Sequence, residues 1–220
     1  MKQTSWMQIW AQALPDMIGG LRISLTLTAV VLVIGIPCGL VLSLGSGSRA
    51  KALRWLCYAI VEIGRGTPAL VTLYIIYYGF PDIGLKLSSF VSAVVGLVIT
   101  TAAYSCEYIR SGLRSVPHSQ IEAGEALALP RTDIYRRIVI PQGMRIAVPA
   151  LMSYSIQLFQ MTSLTYNITL RELTSVSYSL GMKTFQYLAV FVLAGLIYAA
   201  ISGVCSALVK LLEQRLSLTK

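Results

Sequence analysis

Four charged side chains lie in or beside otherwise apolar runs of the sequence, and they repeat one spacing. Glu62 and Arg65 are three residues apart, and so are Glu107 and Arg110. On a helix this spacing places a carboxylate and a guanidinium on one face. Charges within a membrane are costly and are normally paired. Two interpretations are open: ion pairs that lock helices together, or a gate whose ion pairs exchange partners during a conformational change.

A second group of polar side chains lies between residues 146 and 170. Hydroxyl and amide residues recur there at spacings of three and four, which predicts a polar stripe on an otherwise apolar helix. Lipid penalises amide side chains, so the stripe should face protein or water. It serves either as hydrogen bonding between helices or as the lining of a path for a polar solute. The stripe consists of Ser153, Gln157, Gln160, Ser163 and Asn167. The candidate path residues are Gln157, Gln160, Thr162, Ser163, Asn167 and Tyr104.

The sequence offers no arrangement that predicts catalysis. The string nearest to a phosphate-binding loop, residues 181–184, lacks both the first Gly and the Gly-Lys adjacency of that motif. A nucleophile with its base and orienting partner is also missing. The four cysteines lack metal-ligand spacing and are expected to be small buried residues. We therefore predict that the chain is not an enzyme and binds neither a metal nor a cofactor.

The composition places these residues in a membrane protein. Hydrophobic residues make up 55% of the 220 positions and charged residues only 12%, against roughly 25% in soluble domains. The mean hydropathy is +0.70. The formal net charge of +9 sits in short segments between apolar runs, which favours membrane orientation over nucleic-acid binding. No polar linker divides the chain, so residues 1–220 are predicted to form one domain.

Five stretches reach the length of roughly 20 residues that a membrane span requires. Backbone groups in lipid must be bonded internally, so all five should be helices. Trp6, Trp10 and Leu14 recur at helical spacing before them and predict an interfacial helix over residues 4–16. The fold class is therefore an all-α integral membrane protein. The predicted spans are 21–44, 54–80, 87–110, 146–168 and 184–210.

The distribution of Lys and Arg predicts the orientation. The loops 45–54 and 111–145 and the C-terminal end carry most of these residues, whereas the loops 81–86 and 171–183 carry few. Cytoplasmic loops are the Lys- and Arg-rich ones. We therefore expect the C-terminus in the cytoplasm and the N-terminus outside.

The segment 115–142 is the longest polar stretch and has a helical pattern of its own. Ile121, Ala126 and Leu127 alternate with polar residues at helical spacing, and Pro130 interrupts the pattern. Two short helices joined by a bend are predicted, with Pro141 ending the second turn. From the residues alone, this segment is either a hairpin resting on the membrane surface or an ordered docking element.

The same segment resembles the EAA loop of ATP-binding-cassette (ABC) importer permeases. That pattern reads E-A-A, three residues, G, nine residues, I-x-L-P. Here it aligns with Glu122-Ala123-Gly124, Ala128, Ile138 and Pro141. Gly124 replaces the second Ala, and Ala128 replaces the Gly. The resemblance implies that ATPase coupling is carried by Glu122, Ala123, Gly124, Leu127, Ala128 and Pro141.

A second resemblance narrows the family to polar amino-acid permeases. Residues 65–68 (R-G-T-P) and 77–81 (Y-Y-G-F-P) are similar to the R-G-T-P and Y-Y-G-L-P segments of those proteins, and Glu172-Leu173-Thr174 extends the likeness. Gln160 and Met161 stand where these permeases often carry Lys and Asp. We also predict a helix break at residues 66–68, with Thr67 as cap and Pro68 in the first turn. That break would give Arg65 room to reach Glu107.

The resemblance implies a type I ABC importer permease fold in the bacterial cytoplasmic (inner) membrane. It implies a permease homodimer or heterodimer, two ABC ATPase subunits that bind ATP and Mg, and a periplasmic amino-acid-binding protein. Transport of a polar amino acid would proceed by alternating access. The alternatives are an ABC permease for a peptide or quaternary amine, an ion-coupled secondary transporter, which usually has two related halves in one chain, and a non-transport membrane scaffold.

Overall fold

The computed structural model of the chain describes residues 6–217, and side chains as far as residue 214. Within that range every regular element is a helix, which confirms the predicted all-α class. Three helices continue into tighter or wider turns. The helix α3 runs into a π-helical turn, Ile75–Gly79, and a 3₁₀ turn, Phe80–Ile83; α6 runs into a π-helical turn, Ile134–Val139; and α7 runs into a 3₁₀ segment, Thr162–Ile168. The helices are α1 Trp6–Ser46, α2 Lys51–Gly66, α3 Ala69–Tyr74, α4 Ser89–Arg114, α5 His118–Ala126, α6 Arg131–Asp133, α7 Ile140–Met161, α8 Leu173–Thr184 and α9 Tyr187–Ser217.

The first helix is longer than the sequence pattern predicts. An interfacial helix over 4–16 separate from a span over 21–44 was expected, but α1 is one continuous helix from Trp6 to Ser46; residues 4 and 5 lie outside the described residues. The cause is packing within the chain. The apolar face of the N-terminal turns, including Ile9 and Met17, is buried against α8 and α9 instead of lying on lipid. Trp10 Nε1 also donates a hydrogen bond of 2.8 Å to the carbonyl of Ala189.

The predicted helix break before α3 is present. The helix α2 ends at Gly66 and α3 begins at Ala69. Pro68, with ψ of 133°, is itself the N-cap, and no side chain caps the helix. The prediction of Thr67 as cap and Pro68 in the first turn was therefore wrong by one position. Pro68 lacks an N–H but its carbonyl accepts from Val71 and Thr72, so it can begin a helix and cannot continue one.

The length and composition of each helix determine whether it could cross a membrane. Among the described residues, α1, α4 and α9 are long and apolar enough to cross a membrane, and the bent pair formed by α2 and Ala69–Ile83 adds a fourth if it counts as one span. The helix α7, which carries the polar stripe, is not among them. Five spans therefore remain a prediction.

The chain groups into two compact units, each built from three separate stretches. Of the described residues, the first unit contains 6–33, Thr67–Val98 and Ser155–Ala207; the second contains Ile34–Gly66, Ile99–Tyr154 and 208–217. The core of the first unit joins the start of α1 to α8 and α9. Its buried members are Ile9, Ala13, Met17, Leu173, Val176, Ala189, Val190, Leu193 and Ala194.

Small residues bring two helices of the second unit into close contact. A Cβ added to Gly35 would lie 2.7 Å from the side chain of Thr101, and one added to Gly39 would lie 2.6 Å from that of Ser105. Only glycine permits this approach of α1 to α4. By contrast, a Cβ added to Gly195 or Gly203 of α9 would have nothing within 4 Å, so these glycines mark no close helix contact among the described residues.

Residues 115–142, called here the 115–142 hairpin, form an ordered element of the second unit. The helix α5 lies against the π-helical turn Ile134–Val139 that follows α6. Val116, Ile134 and Val139 form a small buried core, against which Leu113, Ile121 and Leu129 pack. The first short helix and the bend are as predicted, but the second helix does not end where predicted: Arg131–Asp133 and the π-helical turn Ile134–Val139 run without a break into α7. Pro141 therefore does not end the second helix, because it is the second residue of α7.

Candidate functional site

Glu107, on α4 in the second unit, has two arginine partners. One guanidinium nitrogen of Arg110 lies 2.5 Å from Glu107 Oε1, and one of Arg65 lies 3.7 Å from Oε2. Arg65 is the penultimate residue of α2, so the break at Pro68 leaves its side chain beside α4. One carboxylate thus binds cations from two helices, as a lock or a gate requires.

Tyrosine rings surround this ion-pair cluster. The guanidinium carbon of Arg65 lies 5.9 Å from the centre of the Tyr104 ring, and that of Arg110 lies 5.2 Å from the Tyr58 ring. Tyr104 stacks on Tyr154 with ring centres 5.4 Å apart. Both cations therefore have an aromatic face as well as a carboxylate, and such faces attract cations. Tyr58 and Tyr154 were not singled out from the sequence, because their contacts join helices distant in the chain.

Glu62 does not take part in the cluster. Its side chain is exposed and forms no ion pair among the described residues, although its spacing to Arg65 matches that of Glu107 to Arg110. The E-x-x-R spacing therefore forms an ion pair on α4 and not on α2. Arg65 instead turns toward Glu107, which offers a carboxylate that Arg110 already orients.

The polar stripe of the first unit changes geometry part of the way along. The predicted continuous helix ends at Met161, and Thr162–Ile168 is a 3₁₀ segment. Hydroxyls drive the change: Thr162 donates to the carbonyl three residues earlier at 2.7 Å, Ser163 at 2.8 Å and Thr165 at 2.6 Å. Such bonds compete with a regular α-helix. The predicted single face is therefore wrong beyond residue 161.

The candidate path residues separate into satisfied and available groups. Thr162 is fully buried, and the amide of Asn167 donates to the carbonyl of Leu164 at 3.0 Å. Gln157 and Gln160 are exposed, and the Gln160 amide donates to Ser202 of α9 at 3.1 Å. The two glutamines are therefore the exposed members of the candidate path residues, whereas Tyr104 belongs to the tyrosine cluster of the second unit.

Two tyrosines of the Y-Y-G-F-P segment hold the end of the 3₁₀ segment. Tyr77 and Thr169 hydroxyls lie 2.9 Å apart, and the Tyr78 hydroxyl donates to the Asn167 carbonyl at 3.1 Å. Thr169 has a φ of 62°, in the left-handed region. Through these contacts, the aromatic pair that follows the Pro68 break supports the end of the 3₁₀ segment.

A buried carboxylate organises the start of α8. Glu172 has no exposed surface and is the N-cap of α8, accepting from the backbone N–H groups of Thr174 and Ser175 at 2.8 Å. The hydroxyls of Ser24 and Tyr198 also donate to it, at 3.4 and 3.1 Å. Burial raises the pKa of Glu172, although these hydrogen bonds act in the opposite direction. The sequence likeness at residues 172–174 is thus a helix cap that links α1, α8 and α9.

The residues predicted for ATPase coupling divide into an outer and an inner group. Glu122 and Ala123 are exposed on α5, and Glu122 lies 3.0 Å from His118 Nδ1. Leu127, which follows α5, is 74% exposed. Gly124 instead faces inward, since a Cβ added there would lie 2.9 Å from Ile134 Cγ1. This close packing explains Gly in place of the second Ala of the E-A-A pattern.

Ala128 occupies the position where the E-A-A loop pattern has Gly, and the backbone conformation of Ala128 shows why the pattern has glycine there. Its φ is 55°, in the left-handed region that glycine adopts without strain. The N–H of Ala128 bonds to the carbonyl of Glu125, and that of Leu129 bonds to Gly124, so the turn closes despite the Cβ. The bend of the hairpin therefore keeps its geometry with alanine.

The chain matches the family described as "binding-protein-dependent transport system inner membrane component" over residues 35–218. It is 34% identical to the probable amino-acid ABC transporter permease protein YckA of Bacillus subtilis, across 93% of this chain and 90% of that protein. It is 32% identical to the L-cystine transport system permease protein TcyB of the same organism, across 92% and 87%. A crystal structure of an amino acid ABC transporter with histidines superposes with a TM-score of 0.93, at 29% identity, covering 97% of this chain and 99% of that one.

Proposed function

Because the chain belongs to the family of binding-protein-dependent transport system inner membrane components, we propose that it imports a polar amino acid by alternating access. In this proposal the 115–142 hairpin docks on a separate ATPase subunit. Two such ATPases bind ATP and Mg and supply the energy. The chain itself is a permease subunit and does not hydrolyse ATP.

The observation that carries this proposal is the construction of the 115–142 hairpin. Its inner side is fixed by the buried core of Val116, Ile134 and Val139. Its exposed side chains include Leu127, 74% exposed, and the charged Glu122. An apolar side chain displayed on a rigid polar element is suited to a pocket on a partner. Because the hairpin continues directly into α7, a force applied to α5 would be transmitted to that helix.

The proposed orientation places this hairpin in the cytoplasm. The Lys and Arg residues of the loops 45–54 and 111–145 support this orientation. Three other basic residues near the chain ends enter the same argument: Lys2 and Lys220 lie outside the described residues, and so does the side chain of Arg215. In this orientation the chain lies in the inner membrane of a bacterium, and its N-terminus is on the external side. A second permease copy or a homologous permease completes the membrane portion, and a periplasmic binding protein delivers the substrate to it.

We propose that the exposed amides of Gln157 and Gln160 line the substrate path. Amides donate and accept hydrogen bonds, so they can meet both the ammonium and the carboxylate of an amino acid without a fixed charge. The relatives are named for amino-acid and cystine transport, which supports the amino-acid class. The Glu107 cluster lies on α4 toward its proposed cytoplasmic end, and we assign it to a gate that re-pairs during transport.

The docking proposal is tested by substituting the exposed leucine of the hairpin. Leu127→Asp should abolish stable co-purification with the ATPase, because burial of a leucine side chain contributes about 1.5–3 kcal/mol. Leu85→Asp is the matched control: Leu85 is 48% exposed and lies in the proposed external loop. Retention of the ATPase by Leu127→Asp, or equal loss in both variants, would contradict the docking role.

A further inference from the structure

The second unit contains a cleft behind the 115–142 hairpin to which the proposed transport function assigns no ligand. Its volume is about 510 Å³, within the usual range of ligand sites, roughly 300–1,000 Å³. It lies between the end of α1, the end of α4, α5 and the turn preceding α7. Its walls are mostly apolar, with Leu44, Leu113, Val139 and Ile140 among the lining residues.

Cationic groups line the same cleft. Arg114 is exposed and forms no ion pair or hydrogen bond among the described residues. Arg110 also lines the cleft, with its charge partly balanced by Glu107. His118 completes this side, paired with Glu122. The cleft therefore offers one uncompensated guanidinium beside apolar walls.

A buried hydroxyl in the cleft lacks a partner. Ser43 is 6% exposed and lines the cleft, and its Oγ has no hydrogen-bond partner in the described part of the chain. Buried polar atoms are normally satisfied, so an orphan hydroxyl indicates a polar atom that the protein itself does not supply. Ser43 and Arg114 both line the cleft, so its walls carry a hydroxyl without a partner as well as a free guanidinium.

We propose that this cleft binds the phosphate group of an anionic phospholipid. A guanidinium forms strong charge-assisted hydrogen bonds with phosphate, and the apolar walls suit the acyl chains of the same molecule. In the proposed orientation the cleft lies at the cytoplasmic boundary of the membrane, where basic pockets between helices bind anionic headgroups. A free phosphate would use the same cation but would leave the apolar walls uncovered.

The bound lipid would brace the hairpin. His118 and Ile121 of α5 line the cleft on one side, and Ser43 and Leu44 of α1 line it on the other. A molecule that contacts both would link α5 to the membrane portion of the chain. Anionic lipid thereby becomes a structural component of the coupling element.

The test measures lipid retention by native mass spectrometry on the full chain with the subunits that co-purify with it. Delipidated protein is titrated with phosphatidylglycerol and, separately, with phosphatidylcholine. Arg114→Gln should weaken phosphatidylglycerol binding about tenfold or more, as expected for loss of a charge-assisted hydrogen bond. Leu44→Trp, which fills the cleft from a residue 55% exposed and keeps the charge, should weaken it similarly.

Arg49→Gln is the matched control, because Arg49 is exposed on the loop after α1 and does not line the cleft. This variant should bind phosphatidylglycerol as tightly as the wild type. Equal binding of the two lipids, or equal losses in Arg114→Gln and Arg49→Gln, would overturn the proposal. Displacement of the lipid by millimolar inorganic phosphate would assign the cleft to a free anion instead. The measurement does not require transport, so its failure is distinguishable from failure of the proposed transport function.

Discussion

Replacing Ala128 with glycine should stabilise the bend of the 115–142 hairpin. Ala128 has a φ of 55°, a conformation in which the Cβ of an L-residue crowds the following carbonyl at a cost of about 1–2 kcal/mol. Glycine removes that cost and adds conformational entropy to the unfolded chain, which costs about 0.4–1 kcal/mol. The net gain should be about 0.5–1 kcal/mol. Ala128 is exposed, so no packing contact is lost.

The stabilisation by Ala128→Gly is best measured locally, by hydrogen exchange of the amides that close the turn. The N–H of Leu129 bonds to the carbonyl of Gly124 at 3.1 Å, and a gain of this size should slow its exchange about two- to fivefold if exchange follows local opening. The thermal midpoint of the whole chain should rise by about 1–4 °C if the hairpin unfolds with it.

Ala126→Gly is the control with the opposite sign. Ala126 is also exposed but is the last residue of α5, with helical geometry. Glycine there should destabilise by about 0.5–1 kcal/mol. If Ala128→Gly accelerates exchange as Ala126→Gly does, the left-handed geometry at position 128 is wrong and the reasoning fails.

Three further predictions concern the membrane portion and the external cap. Glu107→Gln should destabilise the chain by about 1–3 kcal/mol, because two arginines lose a shared carboxylate, whereas Glu62→Gln should change stability by less than about 0.5 kcal/mol; equal thermal shifts would contradict the cluster. Glu172→Gln should flatten the pH dependence of stability: the raised pKa of Glu172 means that the folded state favours the protonated form, so wild-type stability relative to Glu172→Gln should fall as pH rises above the ordinary value of 4.5. A relative stability that rises with pH would refute this sign. Gln157→Leu and Gln160→Leu should reduce uptake while assembly with the ATPase persists; normal uptake by both would place the path elsewhere.

The sequence anticipates those features that depend on local chemistry. Pro68 cannot continue a helix, so the break before α3 was predictable, and the spacing of Glu107 and Arg110 predicted their ion pair. The approach of Arg65 to Glu107 followed from that break. The helix α5 and the bend after it were likewise predictable, because Pro130 interrupts the helical periodicity.

Other features depend on contacts between distant residues and could not be predicted from the sequence. The N-terminal turns of α1 look like an interfacial helix until α8 and α9 supply a protein surface for Met17. The sequence of the polar stripe predicts a regular helix, but in the structure the hydroxyl of Thr162 bonds to a carbonyl three residues earlier and the chain continues as a 3₁₀ segment. Left-handed geometry at Ala128 is not expected from alanine itself, which normally favours helices; only the glycine at this position of the E-A-A pattern points to it.

The central claim is that ATP hydrolysis by separate subunits drives amino-acid uptake through this chain. Its most direct test is uptake of radiolabelled amino acids into proteoliposomes that contain the permease, its ATPase and its binding protein. We predict uptake that requires ATP on the face carrying the 115–142 hairpin, is lost in Leu127→Asp, and persists in Leu85→Asp. Uptake driven by a sodium or proton gradient without the ATPase subunits would contradict the account.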